Sequence, residues 1–248
     1  MNAIYILWLR EMKKYVRSRA QMIASLGPPL MYLFILGFGF GPMYQRSGGG
    51  NYMQFMAPGV VGMMILYTSI FSGMSLLWDR QFGFLKETLV APVPRLQVMI
   101  GKTLGGATVA LMQGIIMVVA TLFAGFRPAG VTGVLVALGV MLLIATVFTA
   151  LGVSIGASLE NMQGFQLVMT FLVMPVYFLS GALFPLNNLP KFLGALTTVD
   201  PLSYGVDGLR AALSGPSHFG LAIDLAVLTG AAVALLGIGA WRFSKIEA

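Results

Sequence analysis

Long apolar runs separated by short polar intervals dominate this chain. Six of the runs approach the roughly 20 residues that an α-helix needs to cross a bilayer. They cover approximately residues 22–40, 55–77, 98–124, 131–157, 164–180 and 219–241. The pattern predicts an all-α polytopic membrane protein with six transmembrane helices, in which residues 1–248 form a single domain. Pro28 and Pro29 are expected to break the first span early.

Residues 1–19 carry the period of an amphipathic helix. The apolar positions are Ile4, Leu7, Trp8, Met12 and Tyr15, and the bases on the other side are Arg10, Lys13, Lys14 and Arg17. A basic amphipathic helix lies in the plane of the membrane interface, with its bases toward lipid phosphates. A basic flank that only orients the first span explains the pattern equally well.

Residues 79–95 form the longest polar interval between two spans. Phe82 and Phe84 contribute to an apolar side, and Pro92 and Pro94 end the segment. Its charged side chains before the prolines belong to Asp79, Arg80, Lys86 and Glu87. We expect a short amphipathic helix that contacts something other than lipid.

Residues 181–217, between the fifth and sixth spans, are apolar in parts and punctuated by prolines. Asp200 is a favourable N-cap, and Pro201 follows it at the first position of a helix. The segment predicts two short helices that are too polar and broken to span. We expect them to dip partway into the membrane from outside, where irregular backbone needs protein or water around it.

Composition and charge support a membrane protein. Apolar residues make up 58% of the chain and charged residues 9%, whereas a soluble domain carries roughly 25% charged residues. The net charge of +7 does not indicate nucleic acid, because the bases lie at the ends of apolar runs. Eleven of the 15 Lys and Arg residues fall on the side of the N-terminus, which places both termini and residues 79–95 in the cytoplasm.

Catalytic and metal-binding patterns are absent from the sequence, which has no Cys and a single His, His218. The triplet 101–103, Gly-Lys-Thr, ends like a phosphate-binding loop, but Leu96 stands where that motif needs a glycine. We therefore expect no catalytic, cofactor-binding or metal site in this chain, and no enzymatic activity. Lys102 is expected to extend toward the membrane interface.

Ionisable residues are scarce within the spans. Asp224 lies near the outer start of the sixth span, where a helix N-terminus favours a negative charge. It is either a proton carrier or, as we favour, a structural acid near the outer surface. Asp207 and Arg210 are three residues apart and could pair on one helix, although a weak exposed pair is as good an interpretation.

Methionines and aromatic residues gather in the second and fifth spans. They are Met63, Met64, Tyr67, Phe71, Met169, Phe171, Met174, Tyr177 and Phe178. Methionine adapts to varied apolar shapes, so these residues could line a translocation pathway for an amphipathic substrate. Lipid-facing or inter-helix packing is the commoner role of such residues. The pairs Gly37–Gly41 and Gly152–Gly156 permit close helix approach but are weak signals.

Two motif regions resemble one family, the membrane permeases of type 2 ABC exporters, which include drug, polysaccharide and lipo-oligosaccharide exporters. Residues 79–95 are similar to the cytoplasmic loop E-R-E-x-G-T-L-E-x-L-x-x-S/T-P-V-x-R. Residues 180–190 resemble S-G-x-x-F-P-x-x-x-L-P, and residues 201–210 resemble P-L-S/T-Y-x5-R. The resemblance covers essentially the whole chain. It departs at Asp79 and Gln81, where acidic residues are common and Gln81 removes a negative charge, and at Phe84, where a small hydroxyl residue is usual.

The resemblance implies a bacterial or archaeal inner-membrane permease, working as a homodimer or with a close homologue. Two separate ABC ATPase subunits would bind ATP and Mg and couple through residues 79–95. The implied coupling residues are Arg80, Phe82, Gly83, Phe84, Lys86 and Glu87, with the two phenylalanines as anchors. Phe184 and Pro185, with Tyr204 and Arg210, would help close the external end of the path.

The implied function is ATP-driven export of an amphipathic or hydrophobic substrate, such as a drug (as in multidrug export), a lipid or a lipid-linked glycan. A membrane subunit that anchors a soluble partner without transporting is the alternative from another class. A secondary transporter is a further alternative, which the scarcity of ionisable residues disfavours. Membrane lipid is an expected partner, and nucleic acid is not.

Overall fold

A computed structural model describes residues 3–46, 51–82, 93–159, 161–186, 190–215 and 217–244. Ten α-helices and no strand occur in these ranges. They are α1 (Ala3–Arg17), α2 (Arg19–Arg46), α3 (Tyr52–Ser72), α4 (Met74–Gln81), α5 (Arg95–Phe123), α6 (Val131–Ser158), α7 (Met162–Leu179), α8 (Lys191–Val199), α9 (Pro201–Leu213) and α10 (Leu221–Ser244).

Six helical segments of the described chain are long and apolar enough to cross a membrane, which confirms the predicted all-α architecture and number of spans. The second crossing consists of α3 and α4 together. Side-chain caps mark two of the starts, because Asn51 accepts from the Met53 amide and Asn161 accepts from the Gly164 amide. The two short helices predicted before the sixth span are α8 and α9, and their depth in the membrane stays a prediction.

The first span is not broken at Pro28 and Pro29, as the sequence suggested, because α2 continues through both prolines. In a lipid environment the backbone has no water to replace its helical hydrogen bonds, so a helix tolerates proline rather than unwinding. The α2 and α10 helices lie at the periphery and expose most of their surface, whereas α3 is mostly buried.

The core surrounds α3, which packs against α2, α5, α6 and α9. Buried methionines and branched aliphatic residues fill the space between these helices, including Met56, Met64, Ile65 and Leu66. The bundle has two ends that matter for function. The "charged end" contains Asp79 and Lys102, and the "far end" contains α8 and α9.

Glycines bring α6 against the junction of α3 and α4. A Cβ atom at Gly73 would lie 2.0 Å from the Gly152 carbonyl oxygen, and one at Gly156 would lie 2.5 Å from the Gly73 carbonyl oxygen. The Gly152–Gly156 pair is therefore a backbone-to-backbone contact between spans. At Gly41 nothing lies within 4 Å of an added Cβ, so the Gly37–Gly41 pair is not a comparable contact in the described residues.

We expect Gly152→Ala to destabilise the protein by roughly 1–3 kcal/mol, the usual cost of overpacking. Its new Cβ would lie 2.5 Å from the Ile70 carbonyl oxygen, and a backbone atom cannot rotate away. Gly139→Ala on the same helix is the matched control, because nothing lies within 4 Å of a Cβ there. Thermal unfolding in detergent measures both variants, and equal melting temperatures would contradict this contact.

Candidate functional site

Four charged side chains from three helices meet at the charged end. The Asp79 carboxylate of α4 accepts from the Arg10 guanidinium of α1 and from the Lys102 ammonium of α5. Lys102 Nζ also lies 3.2 Å from Glu11 Oε1 of α1. We call Arg10, Glu11, Asp79 and Lys102 the charge cluster. It joins the helix that precedes residues 83–94, the helix that follows them, and the N-terminal helix.

The centre of the charge cluster is buried. Lys102 is 4% exposed and Asp79 is 5% exposed. Charges removed from water persist only when opposite charges or hydrogen bonds compensate them. The expectation that Lys102 extends to the membrane interface is therefore wrong, because a closer carboxylate holds its ammonium group inside the protein. No local spacing signals this contact, since 23 positions separate the two residues.

The N-terminal helix packs against protein along its predicted apolar side. Gly101 and Gly105 let α1 approach α5 closely, with the Leu7 Cβ 2.9 Å from where a Cβ of Gly101 would lie. Trp8 Nε1 donates to Thr108 Oγ1 at 3.0 Å. The amphipathic helix therefore exists, and its apolar face covers α5. Its location in the membrane interface stays a prediction.

Phe82 lies directly beyond α4 and is 73% exposed. Two neighbouring side chains attach the end of this helix to the connection between the fourth and fifth spans. Trp78 Nε1 donates to Met162 Sδ at 2.8 Å, and Arg80 Nη1 donates to the Leu159 carbonyl oxygen at 3.2 Å. The other predicted coupling residues lie outside the described residues, namely Gly83, Phe84, Lys86 and Glu87.

The predicted pathway residues occupy three different surroundings. Core positions bury Met63, Met64, Met169 and Tyr177. The outer face of α7 exposes Phe171, Met174 and Phe178. Tyr67 and Phe71 line a cavity beside α1. A pathway between two copies of the chain stays a prediction.

Two of the predicted gate residues organise the far end. Arg210 Nη2 donates to the Gly181 carbonyl oxygen at 3.0 Å, and its guanidinium lies 4.2 Å from the centre of the Phe55 ring. The Tyr204 hydroxyl donates to the Thr198 carbonyl oxygen at 2.9 Å. Phe184 and Pro185, by contrast, are exposed. The buried pair thus holds α9 in place beneath an exposed apolar turn.

The direct Asp207–Arg210 pair considered from the sequence is not what the structure contains. Asp207 is 1% exposed and accepts from the backbone amides of His218 and Phe219, each at 2.8 Å. Those amides approach from the turn before α10 and satisfy the carboxylate more directly than the guanidinium does. Asp207 therefore ties α9 to the sixth span.

Asp224 is fully buried within the protein, and its position near the outer membrane surface stays a prediction. It lies in the first turn of α10 beside Gly208, whose added Cβ would be 3.6 Å from Asp224 Oδ2. Neither carboxylate oxygen has a hydrogen-bond partner among the described residues. The sequence located this acid at the correct end of the helix but could not reveal that α9 covers it.

Asp200 predicts a pH dependence of stability. Its carboxylate caps α9 through the Leu202 amide at 2.9 Å, and burial raises the pKa of this carboxyl to about 7, against the lowering effect of its hydrogen bonds. The unfolded chain loses this proton near its ordinary pKa of 3.8. The contribution of Asp200 to folding stability is therefore fully present below pH 3.8, and it is lost as the pH rises toward 7.

We expect Asp200→Asn to flatten this decline, because Asn keeps the cap but cannot titrate. Melting temperatures at pH 5 and pH 8 measure the effect. Wild-type protein should lose more stability than the variant between the two values. If the melting temperature of the variant falls as much between pH 5 and pH 8 as that of the wild type, Asp200 is not the group responsible.

Comparison with known proteins identifies the family. The ABC-2 type transporter family profile matches residues 2–214, and the chain belongs to this family. The inner membrane transport permease YadH of Escherichia coli K12 is 30% identical over 91% of this chain and 88% of its own length. Nodulation protein J of Rhizobium leguminosarum bv. trifolii is 30% identical over 85% of this chain and 78% of its own length.

A putative transport permease, ycf38 of Porphyra purpurea, is 28% identical over 78% of this chain and 68% of its own length. Family membership and the six apolar helices make this chain a multi-pass inner-membrane protein and the membrane subunit of an ABC transporter. Membership implies ABC ATPase partners in general terms.

Proposed function

We propose that this chain is the permease of an ATP-driven exporter that moves an amphipathic or hydrophobic substrate from the cytoplasm or inner leaflet. The substrate class comprises drugs, lipids and lipid-linked glycans. Two copies, or one copy and a close homologue, form the membrane part, and two cassette ATPases carry the ATP and Mg. The buried charge cluster directly beside the exposed Phe82 supports this function most strongly.

The exposed aromatic ring provides the contact. Phe82 is 73% exposed at the start of the segment that the family resemblance assigns to coupling. Aromatic side chains that enter a partner's pocket dominate many protein interfaces. Arg80, Lys86 and Glu87 would give the same surface its register and charge complementarity.

The charge cluster provides the mechanical link. Asp79 is three residues from Phe82 and is bonded to both Arg10 and Lys102. A force applied at Phe82 therefore reaches α1, α4 and α5 together instead of bending a flexible loop. Such a connection suits a permease whose energy comes from a separate subunit.

The charge distribution supports the orientation. With both termini cytoplasmic, the charged end faces the compartment that supplies ATP. The far end then faces outward, where the buried Arg210 and Tyr204 hold α9 and the exposed Phe184 and Pro185 form the external closure. Substrate would leave past this closure when the two copies separate.

Reconstituted vesicles test export against mere anchoring. The chain and a cassette ATPase from a neighbouring reading frame are reconstituted with a fluorescent drug, a fluorescent phospholipid or native lipid extract. We expect ATP-dependent movement of at least one probe across or between the leaflets. ATP hydrolysis without movement of any probe would favour a subunit that anchors its partner without transporting.

A further inference from the structure

A cavity of about 440 Å³ lies between α1, α2, the α3–α4 crossing and α5. Its size falls within the roughly 300–1,000 Å³ of small-molecule pockets. Lys14 and Trp78 line one end, near the charge cluster, and Tyr67 and Gln113 line the other. From Tyr67 to Trp78 the helices advance by about 16 Å at roughly 1.5 Å per residue. The cavity is thus elongated and runs from the charged end into the bundle.

Among the described residues, Lys14 of the cavity lining has no acid as an ion-pair partner. Glu11, the acid that lines the cavity, is paired with Lys102, whose Nζ lies 3.2 Å from Glu11 Oε1. Lys14 Nζ lies 4.9 Å from the centre of the Trp78 ring, and none of the acids in the described part of the chain forms an ion pair with it. An anionic group is therefore favoured beside Lys14.

The walls farther in combine apolar surface with unsatisfied polar groups. Pro28, Pro29 and Phe71 supply apolar surface. Gln113 is 1% exposed, and its Nε2 donates to Ser25 Oγ at 2.9 Å, while its Oε1 has no partner in the described structure. Buried polar atoms are nearly always hydrogen-bonded, so a ligand with a hydroxyl or amide at this depth would complete the site.

We propose that this cavity binds a long-chain amphiphile with an anionic head at Lys14, an apolar chain along Pro28 and Phe71, and a mid-chain hydroxyl or amide at Gln113. This deepens the proposed function, on which it rests, by naming the substrate class and its entry site. The site lies within one chain, beside the helix that the charge cluster connects to Phe82. Bound substrate would therefore contact α1, and the Arg10–Asp79 ion pair connects α1 to α4, the helix that ends beside Phe82.

Quenching of Trp78 fluorescence measures this binding on the purified full chain, without ATPase or ATP. Trp8→Phe and Trp241→Phe leave Trp78, which is 36% exposed, as the reporter. Dibromostearate is the quencher, and competitors are stearate, 12-hydroxystearate and octadecyltrimethylammonium. We expect 12-hydroxystearate to displace the quencher best and the cationic amphiphile to displace it least.

Variants locate the two polar contacts. Lys14→Gln should weaken dibromostearate binding about fivefold, the effect of roughly one basic charge near an anionic group, and Lys14→Arg should restore it. Lys13→Gln is the matched control, because Lys13 lies outside this cavity. Gln113→Leu should abolish the preference for 12-hydroxystearate over stearate while retaining stearate binding.

Equal displacement by anionic and cationic amphiphiles, or equal effects of Lys14→Gln and Lys13→Gln, would overturn the proposal. Ser75→Phe fills the mouth and should abolish the quenching, so unchanged quenching in that variant would also overturn it. Because the assay needs no ATP, specific binding without ATP-driven movement in vesicles would reject export and leave the site intact.

Discussion

Replacing Asp79 by Asn is expected to destabilise the permease by roughly 3–5 kcal/mol, the cost of removing one partner from a buried ion pair. Asp79 compensates Lys102, which is 4% exposed and cannot turn to water without displacing its neighbours. The same change removes the bond between α4 and Arg10 of α1. Chemical unfolding in detergent measures the stability, and stimulation of the cassette ATPase measures the coupling.

Arg10→Gln is the matched control for this prediction. The Arg10 side chain is 38% exposed, and Lys102 still compensates Asp79 after the substitution, so a loss below about 1 kcal/mol is expected. A large effect for Asp79→Asn and a small one for Arg10→Gln would confirm that burial makes the cluster important. Asp79→Asn protein with wild-type stability would contradict it.

Phe82→Ala is expected to weaken binding of the cassette ATPase about 30-fold, the effect of losing roughly 2 kcal/mol at an interface hot spot. The stability of the permease itself should not change, because the ring is 73% exposed and contributes little to the core. Titration of labelled ATPase onto reconstituted permease measures the affinity. The size of the loss depends on how deeply the ring enters its partner.

Phe123→Ala is the control for an exposed phenylalanine without a proposed partner. Phe123 ends α5 at the opposite end of that helix from Lys102 and is 89% exposed. Its removal should leave ATPase affinity unchanged. If Phe82→Ala and Phe123→Ala bind the ATPase equally well, the ring at position 82 is not an anchor.

Hydropathy alone predicted the six spans well, because a bilayer imposes both the length and the composition of a crossing helix. The N-cap at Asp200 and the helix that follows it were also predictable, since capping depends on adjacent residues. The break expected at Pro28 was wrong because proline propensities derive largely from water, where a broken helix finds new hydrogen-bond partners.

Contacts between distant residues could not be predicted. Asp79 and Lys102 each stand at the end of an apolar run, where a charge is ordinary, and only the folded bundle shows that they meet beneath α1. Asp207 similarly has a cation three residues away in sequence, yet it accepts from amides more than ten residues distant. The close packing at Gly152 could not be predicted either, because its partner, Gly73, lies in another span.

Photo-cross-linking from position 82, in a vesicle that contains the permease and its cassette ATPase, tests most directly whether Phe82 contacts the ATPase. A photoreactive phenylalanine analogue replaces Phe82, and the same analogue at position 123 serves as the control. We expect a cross-link to the ATPase from position 82 and none from position 123. A cross-link from position 123 alone, or none from position 82 in a vesicle that hydrolyses ATP, would contradict it.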